Sequence, residues 1–238
     1  MQITLIKLSG YREWTESLGP DREHLIQEVQ GRLHSILSRE FSIKGAVAHP
    51  LRYDLMIAIT NTLTVEDHLD VLRELQKISP VPVIMAIASR EDAIKAEKKA
   101  SELLNYTYNS HQIIIDGEIP DNSEICIIHA DLAGSIRLLT IYSVYETYEY
   151  IMNIYGEFRE IMSKLRGIAL YLGGDNMIGI TTPKMLTENM ELIREFSREH
   201  RIRIGIGVSR RPRDAMRKAT HALDELRQER KLEIRIEV

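Results

Sequence analysis

Two acidic residues of this sequence, Asp131 and Asp175, stand where a carboxylate can hold a divalent cation. Asp175 lies in Gly173-Gly174-Asp175-Asn176 between two apolar runs, the pattern of a tight β-hairpin whose tip needs glycine for positive φ. Asp131 ends the apolar run that begins at Ile125. Hard cations such as Mg²⁺ prefer oxygen ligands and bind nucleotide phosphates alongside them. The alternative interpretation of the hairpin is a solvated turn without chemistry.

His129 and Asp131 are two residues apart, so the alternation of a strand places both side chains on one face. If the hairpin is the sheet neighbour of this strand, Asp131 and Asp175 converge. Two carboxylates close together are costly unless a cation neutralises them, which favours a metal-nucleotide site. The small residues of the following turn, Leu132-Ala133-Gly134-Ser135, leave backbone N–H groups that can hold phosphate oxygens, although most strand-to-helix turns look alike.

The elements that must position these residues occur twice, each time in the order β-α-β-β-α-β-α-β. In the first half we predict strand 3–8, helix 21–40, strands 46–51 and 55–60, helix 66–78, strand 83–88, helix 92–104 and strand 112–116. In the second half we predict strand 125–131, helix 144–164, strands 168–172 and 177–181, helix 188–200, strand 203–208, helix 214–228 and strand 233–238.

The two halves also match at the level of residues. An offset of 121 aligns seven identical residues across the two hairpins, from Ala48 on Ala169 to Thr60 on Thr181. The turn-rich segment 117–123 is the best boundary, so we predict one domain over 1–119 and a second over 120–238. Helices between short strands indicate an α+β fold, with antiparallel sheets carrying helices on one face.

Composition excludes several classes of protein. With 238 residues and 44 % hydrophobic content, the chain can build full cores, and its net charge of −4 gives no sign of a nucleic-acid surface. No apolar run approaches the roughly 18 residues of a membrane span, and the first residues form no signal peptide. The single cysteine, Cys126, excludes a disulfide framework and lies in an apolar run, where we expect a core residue. We expect a cytoplasmic protein without a membrane or nucleic-acid partner.

The first half lacks part of the constellation. Asp54 stands where Asp175 does, but Leu8, Ser9 and Gly10 occupy the place of Asp131, and no carboxylate precedes Glu13. We therefore expect one complete metal site, in the second half.

The motifs found along the chain together resemble those of archaeal GTP cyclohydrolase III. They are Tyr11-x-x-Trp14-Thr15, Arg52-Tyr53-Asp54, Met85-Ala-Ile-Ala-Ser89, His129-x-Asp131, Gly173-Gly-Asp-Asn176 and Gly205-Ile-Gly-Val208. The resemblance covers almost the whole chain. It implies two tandem ferredoxin-like, palm-like domains related to those of nucleotidyl and diguanylate cyclases, and an enzyme that uses Mg²⁺.

The resemblance also implies a reaction and a substrate. Members of the family hydrolyse GTP, open its imidazole ring to 2-amino-5-formylamino-6-(5-phosphoribosylamino)pyrimidin-4(3H)-one and release diphosphate. It further implies a homo-oligomer, a dimer or a tetramer.

Carried over residue by residue, the resemblance assigns the metal to Asp131, Leu132 and Asp175. His129 is the candidate acid/base or base-stacking residue, with simple packing beneath the nucleotide as the alternative. The candidate substrate-binding residues are Leu132, Ala133, Gly134, Ser135, Asn176, Arg52, Asp54, Arg210 and Lys231. For Arg52 and Asp54 a structural ion pair is the alternative to guanine recognition. Asn176 can simply hold the turn, and charged loops such as that of Arg210 are often only solvated.

Two other functions fit part of the pattern. A nucleotidyl or diguanylate cyclase needs the same pair of acids, but diguanylate cyclases usually carry Glu where this chain has Asn176. A non-catalytic nucleotide sensor is the second alternative, although a sensor does not need both Asp131 and Asp175.

Overall fold

The computed structural model of the chain describes residues 1–105, 112–232 and 234–238. These residues form two compact units. The first contains Met1–Glu91 and Lys95–Ser123, and the second contains Asp92–Ile94 and Glu124–Val238. In the described parts of the chain, no helix has the length and apolar character needed to cross a bilayer.

The first unit is built on a five-stranded sheet with the order β2-β3-β1-β4-β5. Its elements are β1 (Gln2–Leu8), α1 (Tyr11–Ser17), α2 (Glu23–Lys44), β2 (Val47–Arg52), β3 (Leu55–Ile59), α3 (Val65–Ile78), β4 (Val83–Ser89), α4 (Ala93–Asn105) and β5 (Ile113–Asp116). The central strand β1 pairs antiparallel with β3 and β4, whereas β5 runs parallel to β4.

The second unit repeats this plan with the order β10-β9-β6-β8-β7. Its elements are β6 (Ile125–Leu132), α5 (Ser135–Leu138), α6 (Val144–Lys164), β7 (Ile168–Gly173), β8 (Asn176–Thr181), α7 (Pro183–Glu188), α8 (Met190–His200), β9 (Ile202–Ser209), α9 (Pro212–Glu229) and β10 (Ile234–Glu237). The central strand β6 lies antiparallel between β8 and β9, and β10 is parallel to β9.

The predicted strands and long helices are confirmed to within a few residues, and α6 has the predicted bounds. Its start is fixed by a capping box in which Ser143 and Glu146 each bond the other's backbone N–H. The short helices α1, α5 and α7 were not predicted, because four to seven residues are too few to show a helical period. Glu233, the first residue of the last predicted strand, lies outside the described residues.

The α+β fold class is confirmed. The prediction that helices cover only one face of each sheet is wrong for the second unit. All eight residues of β6 are buried, so its sheet is covered on both faces. One face carries the core with Phe158 of α6 and Phe196 of α8. The other face packs against α9, which approaches β9 at Gly205 and Gly207.

Cys126 is confirmed as a core residue. Burial raises the pKa of its thiol to about 12, so the thiolate, the reactive form, does not form at neutral pH.

Candidate active site at one end of the second sheet

At the end of β6, three polar residues of neighbouring strands lie side by side. Asp131 lies opposite Asn176 of β8 on one side and opposite Arg203 of β9 on the other. Asp175 precedes Asn176 in the hairpin turn, and the Asn176 amide donates to the Asp175 carboxylate at 3.1 Å. The two predicted acids are therefore carried by neighbouring strands, with Asn176 between them in the hydrogen-bond network.

The immediate partner of Asp131 is an arginine of α9. Arg227 Nε donates to Oδ2 of Asp131 at 2.8 Å, and Arg227 Nη2 forms an ion pair with the same oxygen at 2.7 Å. Only 7 % of the Asp131 side chain is exposed, and a buried carboxylate is costly unless a counter-ion is present. Arg227 thus supplies the neutralising charge that we predicted would come from a cation alone.

His129 is held by contacts on both ring nitrogens. Nε2 lies 3.2 Å from Oδ1 of Asn176, and Nδ1 lies 3.2 Å from the Thr220 hydroxyl. Arg227 Nη2 is 3.4 Å from the same Asn176 oxygen. Because arginine can only donate, this atom is the amide oxygen; His129 therefore carries its proton on Nε2 and accepts from Thr220 at Nδ1.

The ring of His129 is neutral for a physical reason. Burial lowers its pKa, and the nearby Arg227 charge acts in the same direction, while the Asn176 hydrogen bond and Asp131 oppose them. With 6 % exposure and both nitrogens engaged, His129 has the contacts of a residue that positions Asn176. Its role as acid or base stays a prediction.

Helix α9 reaches this network because β9 carries glycine where the helix crosses. A Cβ at Gly205 would lie 2.0 Å from the Ala219 carbonyl oxygen, and one at Gly207 would lie 2.0 Å from that of Ala215. Contacts this short are impossible, so only glycine permits the close approach. The resulting separation lets Thr220 reach His129.

The hairpin tip depends on two glycines and carries Asp175 beside a cavity. Gly173 and Gly174 have φ of 107° and 61°, conformations that other residues rarely adopt. The Tyr171 hydroxyl donates to the Gly174 carbonyl oxygen at 2.8 Å and fixes the turn. The adjacent cavity has a volume of about 300 Å³ and is mostly apolar. It is lined by Ser135, Leu139, Val144, Thr147, Tyr148, Ile151, Tyr171, Gly174 and Asp175.

In the turn after Asp131, some of the groups predicted to bind substrate make contacts within the protein instead. The Leu132 side chain is buried in the core, so only its backbone is available to a ligand. The Ala133 N–H donates to the Arg201 carbonyl oxygen at 3.0 Å, which corrects the expectation of a free N–H there. Gly134 turns with φ of 83°, and Ser135 lines the cavity with Asp175.

Three predicted substrate contacts lie elsewhere or pair with other residues. Arg52 and Asp54 belong to the first unit, where they form an ion pair at 3.1 Å, the structural alternative considered above. Arg210 follows β9 at the wrong end: Ser209 pairs with Ile125, six residues or about 20 Å along β6 from Asp131. The expectation that Arg210 meets a phosphate at this site is therefore wrong, because β9 runs antiparallel to β6.

Lys231 lies at the same end of the sheet as Asp131. Its backbone carbonyl accepts from Arg203 at 3.3 Å, and its ammonium group is 2.9 Å from Glu229. Arg203 Nη1 is in turn 3.9 Å from Asp131 Oδ1. The basic residue of β9 near the site is therefore Arg203, which the sequence pattern did not single out.

The register also corrects the first half of the repeat. Ile6 pairs with Met56 as Ala130 pairs with Met177, so the counterpart of Asp131 is Lys7 rather than Leu8, Ser9 or Gly10. Where the second unit has the acid Asp131, the first unit thus has a basic residue, Lys7.

The site fits a cation in part. Among the described residues no group of three His, Cys, Asp or Glu side chains could hold a metal by itself. However, Oδ1 of Asp131 is buried without a hydrogen-bond partner, and an unpartnered carboxylate oxygen is a ligand that Mg²⁺ prefers. Asp131, the Leu132 backbone and Asp175 could therefore hold Mg²⁺ only with oxygens from a nucleotide or water completing its coordination.

Arg227, Asp224 and Thr220 were missed by sequence reasoning. Their spacing of three and four residues puts them on one face of α9, above the face of β6 that carries His129 and Asp131. The available signal was this polar stripe together with two glycines in a buried strand, which mark the close approach of a helix.

The strand order of both sheets and the acid-bearing hairpin beside the central strand define a protein of two tandem palm-like domains. Among solved structures, the GGEEF domain of a diguanylate cyclase from Vibrio cholerae is similar at 15 % identity and a TM-score of 0.42, over 48 % of this chain and 83 % of that one.

The family model described as GTP cyclohydrolase III matches residues 1–235. The chain is 36 % identical to GTP cyclohydrolase III of Pyrobaculum calidifontis, over 95 % of this chain and 94 % of that protein. It is 32 % identical to GTP cyclohydrolase III of Saccharolobus solfataricus, over 97 % and 96 % of the two chains. The chain belongs to the GTP cyclohydrolase III family.

Proposed function

We propose that this chain is a Mg²⁺-dependent GTP cyclohydrolase that opens the imidazole ring of GTP. The product is 2-amino-5-formylamino-6-(5-phosphoribosylamino)pyrimidin-4(3H)-one, with loss of the β- and γ-phosphates. The observation that carries this proposal is family membership over residues 1–235, since the match includes both units and the whole site. The finer activity class, GTP cyclohydrolase IIa, follows from this product.

The residues at the end of β6 suit a triphosphate. Asp131 and Asp175 offer carboxylate oxygens to a cation, and Arg203, Arg227 and Lys231 place positive charge at the same end of the sheet. When bound there, Mg²⁺ supplies polarisation of the phosphate oxygens and orientation of water. Arg227 can donate to an anionic oxygen in the bidentate geometry that guanidinium groups favour.

The cavity beside the hairpin suits a purine. Its lining includes two tyrosines, Tyr148 and Tyr171, and mostly apolar side chains, with Asp175 and Ser135 at one side. A flat aromatic base gains from such surroundings, while polar groups at the edge fix its orientation. Hydrolysis of the ring adds water across the C8–N9 bond and leaves C8 as a formyl group on N7.

The test is product identity after incubation with GTP and Mg²⁺. We expect an ultraviolet spectrum and mass of a formamidopyrimidine, with the phosphates released as diphosphate or orthophosphate and quantified enzymatically. A cyclic nucleotide would instead identify a cyclase, and unchanged GTP with retained binding would identify a sensor. We also expect a dimer or tetramer, which light scattering after size-exclusion chromatography measures.

A further inference from the structure

The two oxygens of the Asp131 carboxylate differ in their contacts. Oδ2 accepts a hydrogen bond from Arg227 Nε at 2.8 Å and forms an ion pair with Arg227 Nη2 at 2.7 Å. Oδ1 is buried and has no hydrogen-bond partner among the described residues, and Arg203 Nη1 is 3.9 Å away from it. One oxygen is therefore neutralised by the protein, and the other is buried with unused lone pairs that a cation could take.

Arg227 has a second acid within reach. Its Nη1 donates to Asp224 Oδ1 at 2.8 Å, and half of the Asp224 side chain is exposed. A guanidinium group is not deprotonated in proteins. The guanidinium therefore stays charged and is shared between a buried acid and an exposed one.

A divalent cation at Asp131 would lie beside this guanidinium. Two positive groups on one carboxylate repel each other, and low solvent exposure weakens the screening of that repulsion. Without a metal, however, the buried Asp131 charge needs Arg227, since removal of one partner of a buried ion pair leaves an uncompensated charge. The same arginine thus stabilises the metal-free site and opposes the metal.

We propose that Arg227 is the resident counter-ion of Asp131 and competes with the divalent cation for this carboxylate, so that metal binds well only together with an anionic nucleotide. This inference rests on the proposed function for the identity of the nucleotide. A triphosphate brings negative charge that offsets both cations, and it offers Arg227 new acceptors beside Asp224. Metal and nucleotide then bind cooperatively, because each removes a cost that the other would face alone.

The test measures Mn²⁺ binding by electron paramagnetic resonance, with and without GTP. Mn²⁺ replaces Mg²⁺ at oxygen ligands. The signal reports bound metal rather than product, and it is read before the GTP is consumed. We expect weak binding of Mn²⁺ alone to the wild type and at least tenfold tighter binding with GTP. Arg227→Gln should bind Mn²⁺ alone at least tenfold more tightly than the wild type, and GTP should add little.

Two further variants separate this competition from a general effect of charge. Asp224→Asn removes the second acid of Arg227, so Mn²⁺ alone should bind about threefold more weakly than to the wild type. Arg217→Gln removes the same charge from the same helix, where the side chain is exposed and only 3.8 Å from Asp214. It should leave Mn²⁺ affinity unchanged. If Arg227→Gln does not fold without metal, Arg227→Lys, which keeps the charge but loses the fork, should still raise affinity for Mn²⁺ alone.

Thermal denaturation gives a second readout. Metal-free Arg227→Gln should melt below the wild type and regain stability with Mn²⁺, whereas Mn²⁺ alone should hardly move the wild type. Equal Mn²⁺ affinity of wild type and Arg227→Gln without nucleotide would overturn the proposal, as would the absence of Mn²⁺ binding in every variant. Because GTP turnover is not measured, failure of the cyclohydrolase assay and failure of this proposal remain distinguishable.

Discussion

The two units share one sheet plan and differ at the end of the central strand. In the second unit, Asp131 faces Asn176 across the sheet, and at the same register position the first unit has Lys7 facing Leu55. Each hairpin also carries the same register shift near its tip, which indicates that the frame was duplicated with its irregularities. The sheet plan therefore does not depend on which polar residues end the central strand. At this register position the second unit carries an acid and the first unit does not.

The neighbouring strand shows the same divergence. Arg203 and Gly205 of β9 correspond by register to Ile84 and Ala86 of β4. Glycine brings α9 and its Arg227 close to the acid in the second unit, whereas a methyl group occupies the corresponding position in the first. The comparison therefore leads us to expect the chemistry at one end of one sheet, because function resides in a site placed on a fold rather than in the fold itself.

The sharpest way to test this comparison is to substitute the paired positions. Asp131→Asn should lower GTP turnover about a thousandfold, because a neutral amide neither holds a cation nor balances Arg227. Lys7→Gln, its counterpart in the first unit, should change turnover less than threefold. Steady-state kinetics gives both values, and circular dichroism checks the fold. Comparable losses in the two variants would show that both sheet ends serve the reaction.

The two hairpins provide a second pair. Asp175→Asn should lower turnover about a hundredfold, since its carboxylate is the predicted second ligand of the cation. Asp54→Asn should cost less than threefold if the ion pair with Arg52 is structural. A large rise in KM for GTP in the Asp54 variant would instead support guanine recognition by the first unit.

One added methyl group on β9 should prevent the close packing of α9 against this strand. Gly205→Ala should lower the free energy of unfolding by about 3 kcal/mol, because the new Cβ would overlap the Ala219 carbonyl oxygen. Ala86→Gly in β4 should cost only about 1 kcal/mol, from added backbone freedom and a lost methyl contact. Urea denaturation compares them. An unchanged midpoint for the Gly205 variant would mean that α9 can shift without cost.

Each unit also contains a buried, neutral histidine. Substitution of these histidines should have the smallest effect of the changes considered, and it acts on the pH dependence of stability. Burial lowers the pKa of His129 and of His68, while the Thr64 carbonyl opposes the effect at His68. The unfolded chain then binds more protons as pH falls below about 6.5, so stability declines from there towards the folded-state pKa.

Replacement of either histidine by glutamine should make stability fall less steeply with acidity than in the wild type, because glutamine does not titrate. The measurement is urea denaturation at pH 7.5 and pH 5.0 for His129→Gln, His68→Gln and the wild type. His129→Gln should also lower turnover because Asn176 loses a donor, whereas His68→Gln should not. An equal effect of both on turnover would contradict the assignment of the chemistry to one unit.

Much of the fold could be predicted because its signals are local. Apolar runs, helical periods and the Gly-Gly turn lie in continuous sequence, and the repeat confirms them. The site was harder to predict because its partners are distant: Arg227 lies in a helix ninety-six residues from Asp131. The error at Arg210 has the same origin, since the end of a strand is defined only by its antiparallel neighbour.

The most direct test of the central claim is to locate the bound metal. Iron(II) can replace Mg²⁺ at oxygen ligands and, with ascorbate and peroxide in the presence of GTP, cleaves the backbone close to where it binds. Mass spectrometry of the fragments should place the cuts near Asp131 and the Gly174–Asn176 turn. Cuts near Lys7 and Tyr53 in the first unit, with the second unit intact, would contradict the account.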